Sequence, residues 1–568
     1  MKIYLAEFLI GGLIILFALR TDLLKYIRNA LRKWFHAAPE TIQEKPTPLY
    51  FILTAVLFCL FAFLLFYKTD EIPIAYHADE AGMAYDAKSL ANYGVDRFLY
   101  RNPVYLINFG GGQSVLYAYL AALCIKIFGY SVLSVRIPAI LLSILSAAIF
   151  VITIRREYGN ASAVILALLF CGLPFSIMHS RWGLDCYLFF PMMIISGCFL
   201  YAAIRTNKIW LFSISGIFFG ITLYSYAISY VFIPLFLGIL FIYLLYTGQI
   251  KWNRISAIGA PLFVIAIPLL LQTAVNYGII DEIRTSFISM PKLPVFRQSE
   301  IGFRNIITNL APNKNNIFYR ILVYDFNPSN VIIKFGTLYY FTFPVIFWGF
   351  VLCTKRCIDQ IKNKFFSLDL LMVWLFFSAF AVSLTLDGIN VNRACEIYIP
   401  LIYFLCIGFL AIYRLRKSAA ITACLIFIAF SISFLHYYFT EYPKEMPGIG
   451  ILNSVDDMRD ALNYAASIDS EKQITIIHGD RPQPYIYTLL ALDIDPYTFD
   501  REKNQSGGWV LDFEKYHFRT DFFPNQYSVD SIYVFMEPNK IPENMDTYGL
   551  DHKDFNVIRV YYESGKTE

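Results

Sequence analysis

Long apolar runs separated by short polar breaks fill the first three quarters of the chain, and the pattern changes after residue 440. A helix that crosses a bilayer needs about 20 predominantly apolar residues, because each backbone amide in hydrocarbon must be satisfied within its own segment. Runs of that kind lie near 3–19, 49–67, 131–154, 161–178, 184–204, 209–227, 230–247, 255–273, 335–353, 368–386, 395–413 and 419–438, which predicts about twelve spans. The first lacks a small-residue cleavage site and a strongly basic leader, so it reads as a retained span. Beyond 440, SVDDMRDALNYAASI has the period of an amphipathic helix, while QITIIHG, SIYVFME and VIRVYYES have the short apolar character of buried strands. The expected fold is an α-helical polytopic membrane protein with amphipathic outer-loop helices and a small C-terminal α/β extracytoplasmic domain. Its parts are an extra N-terminal span and basic loop (1–48), a membrane domain (49–439, with outer loops 68–130 and 274–334) and a soluble domain (440–568).

Composition supports the membrane reading. Of 568 residues 57% are hydrophobic and 18% aromatic, with a mean hydropathy of +0.52, more apolar surface than a water-soluble domain buries. The net charge of +4 is too small to argue for a nucleic-acid partner. Most of the ten cysteines fall inside apolar runs and none follows residue 440, so neither a disulfide framework nor a zinc-spaced cluster is expected. Basic residues gather at 25–33, Arg155 and Arg156, Arg205 and Lys208, Lys251 and Arg254, 355–364, and Arg414 to Lys417, that is, in every second loop. Short basic loops stay cytoplasmic, which puts both termini and the tail outside, in a plasma (inner) membrane. The outer loop 274–334 is itself basic and could meet anionic headgroups.

Three outward stretches carry candidate chemistry. In YHADEAGMAYDAKSLANYG, Asp79 is expected to cap a helix stopped at Gly94, with Asp79, Met83 and Asp86 on one face and the helix lying along the membrane surface. Asp79 and Glu80 either complement the helix dipole, a matter of about 1 kcal/mol, or carry a reaction. MHSRWGLD places His179, Arg181 and Asp185 at an outer junction, TLDGINVNRACE places Asp387, Asn390, Asn392, Arg393 and Glu396 at another, and Arg136 stands at the outer end of a span. Charge at the centre of a membrane helix costs roughly 2.5–3.5 kcal/mol, so such groups face cavities and partners.

The series DEAGMAYDA, a GGG turn before LYAYL, SVLSVRIPA, HSR and a late NR followed by IP resembles the GT-C membrane glycosyltransferases over about residues 49–415. Within that superfamily it is most like bacterial relatives of protein O-mannosyltransferases and of the lipid A aminoarabinose transferase. The resemblance implies a sugar donor on polyprenyl phosphate, Asp79 as the catalytic carboxylate with Glu80 beside it, and Arg136 at the family's arginine after the loop. Arg136, His179, Arg181, Asn390 and Arg393 are implied on the donor phosphate or substrate. The extra N-terminal span departs from the family, and the tail beyond 440 has no match that identifies an acceptor.

The chemistry is consistent with that assignment. A guanidinium suits the phosphate that leaves as the sugar bond breaks, and a carboxylate suits the acceptor hydroxyl that must lose its proton. One base and one phosphate clamp imply direct displacement with inversion at the sugar carbon. Expected partners are the polyprenyl-phosphate sugar, a lipid, glycan or protein acceptor, and membrane lipids. No cofactor is required, and a divalent metal is not indicated. A transporter or flippase of lipid-linked or envelope precursors, or a non-catalytic scaffold, remains the alternative, although the chain shows no related halves.

Overall fold

The computed structural model describes residues 2–19, 44–45, 47–109, 111–294, 303–325, 329–386, 388–445, 452–506, 509–523, 527–543 and 545–563. The basic stretch 25–33, Gly110, Arg297 and Asp387 lie outside the described residues. The chain folds as two compact units assembled from non-contiguous segments: unit 1 is 1–67, 139–267 and 298–437, and unit 2 is 68–138, 268–297 and 438–568.

Unit 1 is helical. Among the described residues of the whole chain, nine helices have the length and hydropathy to cross a membrane: Pro48–Phe66, Val132–Tyr158, Cys186–Thr206, Ser229–Tyr246, Trp252–Asn276, Tyr340–Lys362, Leu368–Thr385, Cys395–Leu415 and Lys417–Thr440. Of the other three predicted spans, the first is the 18-residue helix Lys2–Leu19, and the next two are helices that fall short. At the second, the helix stops at Gly172 and restarts at Pro174, whose ring cannot continue the hydrogen-bond ladder. At the third, Ile209–Thr222 ends where Ser225 Oγ bonds Thr222 O at 2.6 Å and Ser229 Oγ bonds Leu223 O at 3.3 Å, hydroxyls competing for the backbone. From Cys395 to Ile412 every residue is buried within the protein, whereas Pro48–Phe66 turns most of its surface outward.

Unit 2 holds every strand among the described residues. In chain order these are β1 Tyr76–His77, β2 Tyr105–Asn108, β3 Gly111–Ser114, β4 Ile283–Arg284, β5 Ser289–Met290, β6 Leu452–Asn453, β7 Gln473–Ile477, β8 Lys503–Ser506, β9 Trp509–Phe513, β10 Tyr516–Arg519, β11 Ser531–Phe535, β12 Leu550–Phe555 and β13 Ile558–Glu563. A seven-stranded mixed sheet runs β12-β13-β11-β7-β10-β9-β8, with β7 parallel to both neighbours. That central place explains why QITII reads as a continuous apolar run. The tail helix Val455–Ile468 is capped by Ser454, which accepts Asp457 N–H at 3.1 Å, and buries Val455, Met458, Ala461, Leu462 and Ala465. Strand β1 pairs antiparallel with β6, so the tail is stitched to the segment that enters the acidic helix.

Candidate active site

The acidic helix spans Ala78–Tyr93 and ends on Gly94 in the left-handed conformation (φ 73°), its N–H bonded to Leu90 O at 3.2 Å. Its N-cap is His77 and not Asp79: the imidazole Nδ1 accepts the Asp79 N–H at 3.1 Å. The helix begins two residues earlier than an Asp79 cap implies, so the Asp79 carboxylate is released from capping. Nor does this helix lie on a surface. From Ala78 to Ala91 all residues are buried except Asp79 and Lys88, and the Asp79 side chain is 39% exposed.

One amide reaches that half-open carboxylate, and two more support it. Asn108, at the end of β2, donates Nδ2–H to Asp79 Oδ1 at 3.2 Å and to Gln113 Oε1 at 3.0 Å. Gln113 on β3 reaches the Asp79 carbonyl at 3.4 Å. Gln483, from the loop after β7, donates Nε2–H to Asn108 Oδ1 at 3.0 Å. Gly82 makes room for them, since a Cβ there would stand 2.9 Å from Arg97 Nη2 and 3.0 Å from Asn108 Oδ1. Sequence reasoning singled out neither Asn108 nor Gln483; the hairpin turn around the glycines was the only available signal for the first, and the second had none.

Glu80 has a different environment. It is fully buried, and its two oxygens take Arg136 Nε–H at 2.7 Å and Nη2–H at 3.0 Å. The other Arg136 donors go to the carbonyls of Thr69 (2.8 Å), Pro73 (3.0 Å) and Ala75 (3.1 Å). With all five N–H groups engaged and the side chain sealed, Arg136 clamps the segment before the helix and is not presented to a phosphate; Glu80 is its counter-ion and not a second open carboxylate. Asp86 repeats the arrangement with Arg97, through Nε at 2.9 Å and Nη2 at 2.6 Å, and Arg97 also holds Gly82 O at 2.7 Å and Tyr485 Oη at 3.3 Å.

The remaining predicted residues lie in unit 1. Arg181, fully buried, donates to Leu64 O (2.5 Å), Leu65 O (3.0 Å) and Tyr67 O (2.8 Å), which makes it the cap on the last carbonyls of helix Pro48–Phe66. His179 is buried in an aromatic stack, its ring 3.9 Å from Tyr187 and 4.6 Å from Phe175 between centroids, and its Nε2 has no partner among the described residues. Asp185 caps the next helix through Cys186 N–H at 2.9 Å. Asn390 accepts the Arg393 N–H at 2.8 Å, shaping the turn that presents Arg393 partly exposed, with Nη1 3.5 Å from Gly388 O. In the basic loop, Arg284 stands 4.0 Å over the Tyr100 ring and pairs with Glu282 at 2.8 Å. Among the described residues no group of three His, Cys, Asp or Glu is gathered to hold a metal ion.

The model of the dolichyl-phosphate-mannose-protein mannosyltransferase family matches residues 113–273, a segment that begins after Asp79. No curated protein sequence matches the chain significantly. Among solved structures, ArnT from Cupriavidus metallidurans bound to undecaprenyl phosphate is similar, at 11% identity and a TM-score of 0.53 over 92% of this chain and 100% of that one. The Archaeoglobus fulgidus oligosaccharyltransferase in complex with Zn and sulfate aligns at 13% identity and a TM-score of 0.49 over 77% of this chain, which spans 61% of that enzyme. The ArnT likeness shows that the chain shares that fold over most of its length, and the family model shows that residues 113–273 are similar to the mannosyltransferase family.

Proposed function

We propose that the protein transfers a sugar from a polyprenyl-phosphate carrier to an acceptor hydroxyl, with Asp79 as the general base. The observation that carries this reading is the contrast on one helix: two carboxylates are sealed against arginines while Asp79 is left 39% exposed and oriented by one amide donor, Asn108. An amide donor fixes the rotamer of a carboxylate without neutralising it, so a lone pair stays available for the acceptor proton. The donor class is supported by the family model, named for a dolichyl-phosphate-linked mannose, and by the undecaprenyl phosphate bound to the similar ArnT.

For the donor's phosphate we propose Arg393, which is half-buried in the turn shaped by Asn390, whereas Arg136 is sealed against Glu80 and Arg181 is fully buried at a helix end. The phosphate leaves as the sugar carbon develops oxocarbenium character and the acceptor oxygen attacks from the opposite face, so the anomeric configuration inverts. We place the reaction on the outer face of a plasma membrane, with both termini outside, on the alternation of basic loops. The acceptor is a lipid, glycan or protein hydroxyl.

The test is to incubate the purified full-length protein in lipid nanodiscs with a panel of radiolabelled polyprenyl-phosphate sugars and to follow consumption of each. Consumption of one donor, even by water, supports the reading, and the anomer of the released sugar tests inversion. A panel left intact by folded protein rejects it.

A further inference from the structure

We propose that Gln483, from the C-terminal sheet region, is a positioning residue of the active site: through Asn108 it sets which atom faces the Asp79 carboxylate. This rests on the reading of Asp79 as the base. An ionised carboxylate only accepts, so Asn108 must turn its Nδ2 toward Asp79. Its Oδ1 then points the other way and needs a donor, and the donor found there is Gln483 Nε2 at 3.0 Å. Asn108, Gln113 and Gln483 are 3%, 5% and 2% exposed, so water is no substitute partner and the polarity of the chain is set within the protein.

The fold bears two costs to keep Gln483 there. Its backbone sits in the left-handed region at φ 51°, which disfavours a side chain with Cβ. Its Oε1 is buried with no partner among the described residues, a penalty on the order of 1–3 kcal/mol for a polar group. An apolar residue would avoid the second cost. The neighbourhood is arranged to hold the loop steady: Tyr85 Oη donates to Ile494 O at 2.7 Å, Lys88 pairs with Asp493, and Tyr487 Oη donates to Tyr76 O at 3.2 Å. All are bonds between the acidic-helix segment and residues 487–494, so the tail region forms one wall of the site and is more than an appendage.

The other groups facing Asp79 are His77, with Nδ1 3.6 Å from Oδ2, and Gln113 on the main chain; Glu80 is turned away onto Arg136. Replacing Gln483 by glutamate presents an acceptor to Asn108 Oδ1, which turns the Asn108 amide over and sets its oxygen against Asp79. Asn108→Asp does the same directly, as a like charge.

The experiment is carbodiimide labelling of carboxyl groups on the full-length protein in micelles across pH, read by mass spectrometry at Asp79, with the exposed Glu514 as internal reference. Expected is a rise of about one pH unit in the Asp79 labelling midpoint for Q483E and at least as much for N108D, with Glu514 unmoved. Midpoints equal to wild type in both variants overturn the proposal, and Q483L, isosteric and apolar, serves as the folded control. A second arm measures transfer with whichever radiolabelled donor the panel selects. Q483L is expected to lower kcat roughly tenfold or more with the donor KM unchanged, the mark of lost orientation. Should no donor be consumed, the function above fails while labelling still decides the role of Gln483.

Discussion

Asp79 and Glu80 are adjacent, both acidic and both in the first turn of one helix, yet their surroundings differ in kind. Glu80 meets a guanidinium in two-point contact and no solvent, as Asp86 does one and a half turns further on. Asp79 meets an amide, a neighbouring imidazole and open space. A carboxylate sealed on a guanidinium holds backbone segments in place; a half-open one beside an imidazole is the one proposed for proton transfer. The comparison teaches that carboxylate content did not mark the site. Partner type did, since arginine neutralises what asparagine merely orients.

The sharpest way to break the comparison is to exchange the oxygens for nitrogen at both positions. Asp79→Asn removes the base and is expected to lower transfer by about 10²–10⁴-fold, the usual range for general base catalysis, with the melting temperature unchanged. Full transfer in D79N means that another group is the base, whereas a transporter or scaffold shows no transfer in either form. Glu80→Gln is expected to do the converse. It leaves Arg136 buried without a counter-ion, a loss of roughly 3–5 kcal/mol, seen as a large drop in thermal stability while the surviving folded fraction keeps its kcat. If E80Q loses turnover without losing stability, the division of roles is wrong.

What the sequence disclosed follows the same division. Apolar runs and basic loops depend on composition and local period, so nine of the predicted spans stand as full-length helices and the helix Val455–Ile468 and strands β7, β11 and β13 lie where their patterns put them. Strands β8 and β12 escaped notice because they are the polar edges of the sheet, KNQS and LDHKDF, and the interior strands β9 and β10 because they are short runs interrupted by polar residues, WVLDF and YHFR. The importance of the acidic helix was legible from its charge density, but the partners of its charges were not. Arg136 is 56 residues from Glu80 and Gln483 is 375 from Asn108, and no local pattern encodes such a distance. Arg181 drew attention as a charge beside the membrane, and its work as a helix cap appears only when the carbonyls of Leu64, Leu65 and Tyr67 converge on it.

A smaller effect sharpens the assignment of the phosphate partner. Arg393→Ala is expected to weaken binding of undecaprenyl phosphate about tenfold, with Arg393→Lys recovering part of it, measured by titration in nanodiscs at fixed ionic strength. The same substitution at Arg181 is expected to reduce stability instead, since it uncovers the end of a helix. Equal affinity in R393A and wild type moves the phosphate elsewhere.

The smallest effect tests a third condition, burial without a cation of its own. Asp96 is sealed; its Oδ1 accepts the N–H groups of Phe98 (2.9 Å) and Tyr100 (2.8 Å), while Oδ2 has no partner among the described residues and the adjacent Arg97 is committed to Asp86. Burial, and then the nearby Asp86 charge, push its carboxyl up from 3.8 to about 7. The native chain therefore holds a proton that the unfolded chain has released. Between those two values the native state binds more protons, so stability falls as pH rises through that window; below it the penalty is absent, and above it the penalty is constant. Asparagine keeps the accepting oxygen and cannot ionise. Asp96→Asn is therefore expected to match wild type at the acid end of the window and to melt higher at pH 8, and parallel melting curves across the whole window would show that Asp96 is charged and paired like its neighbours on the acidic helix.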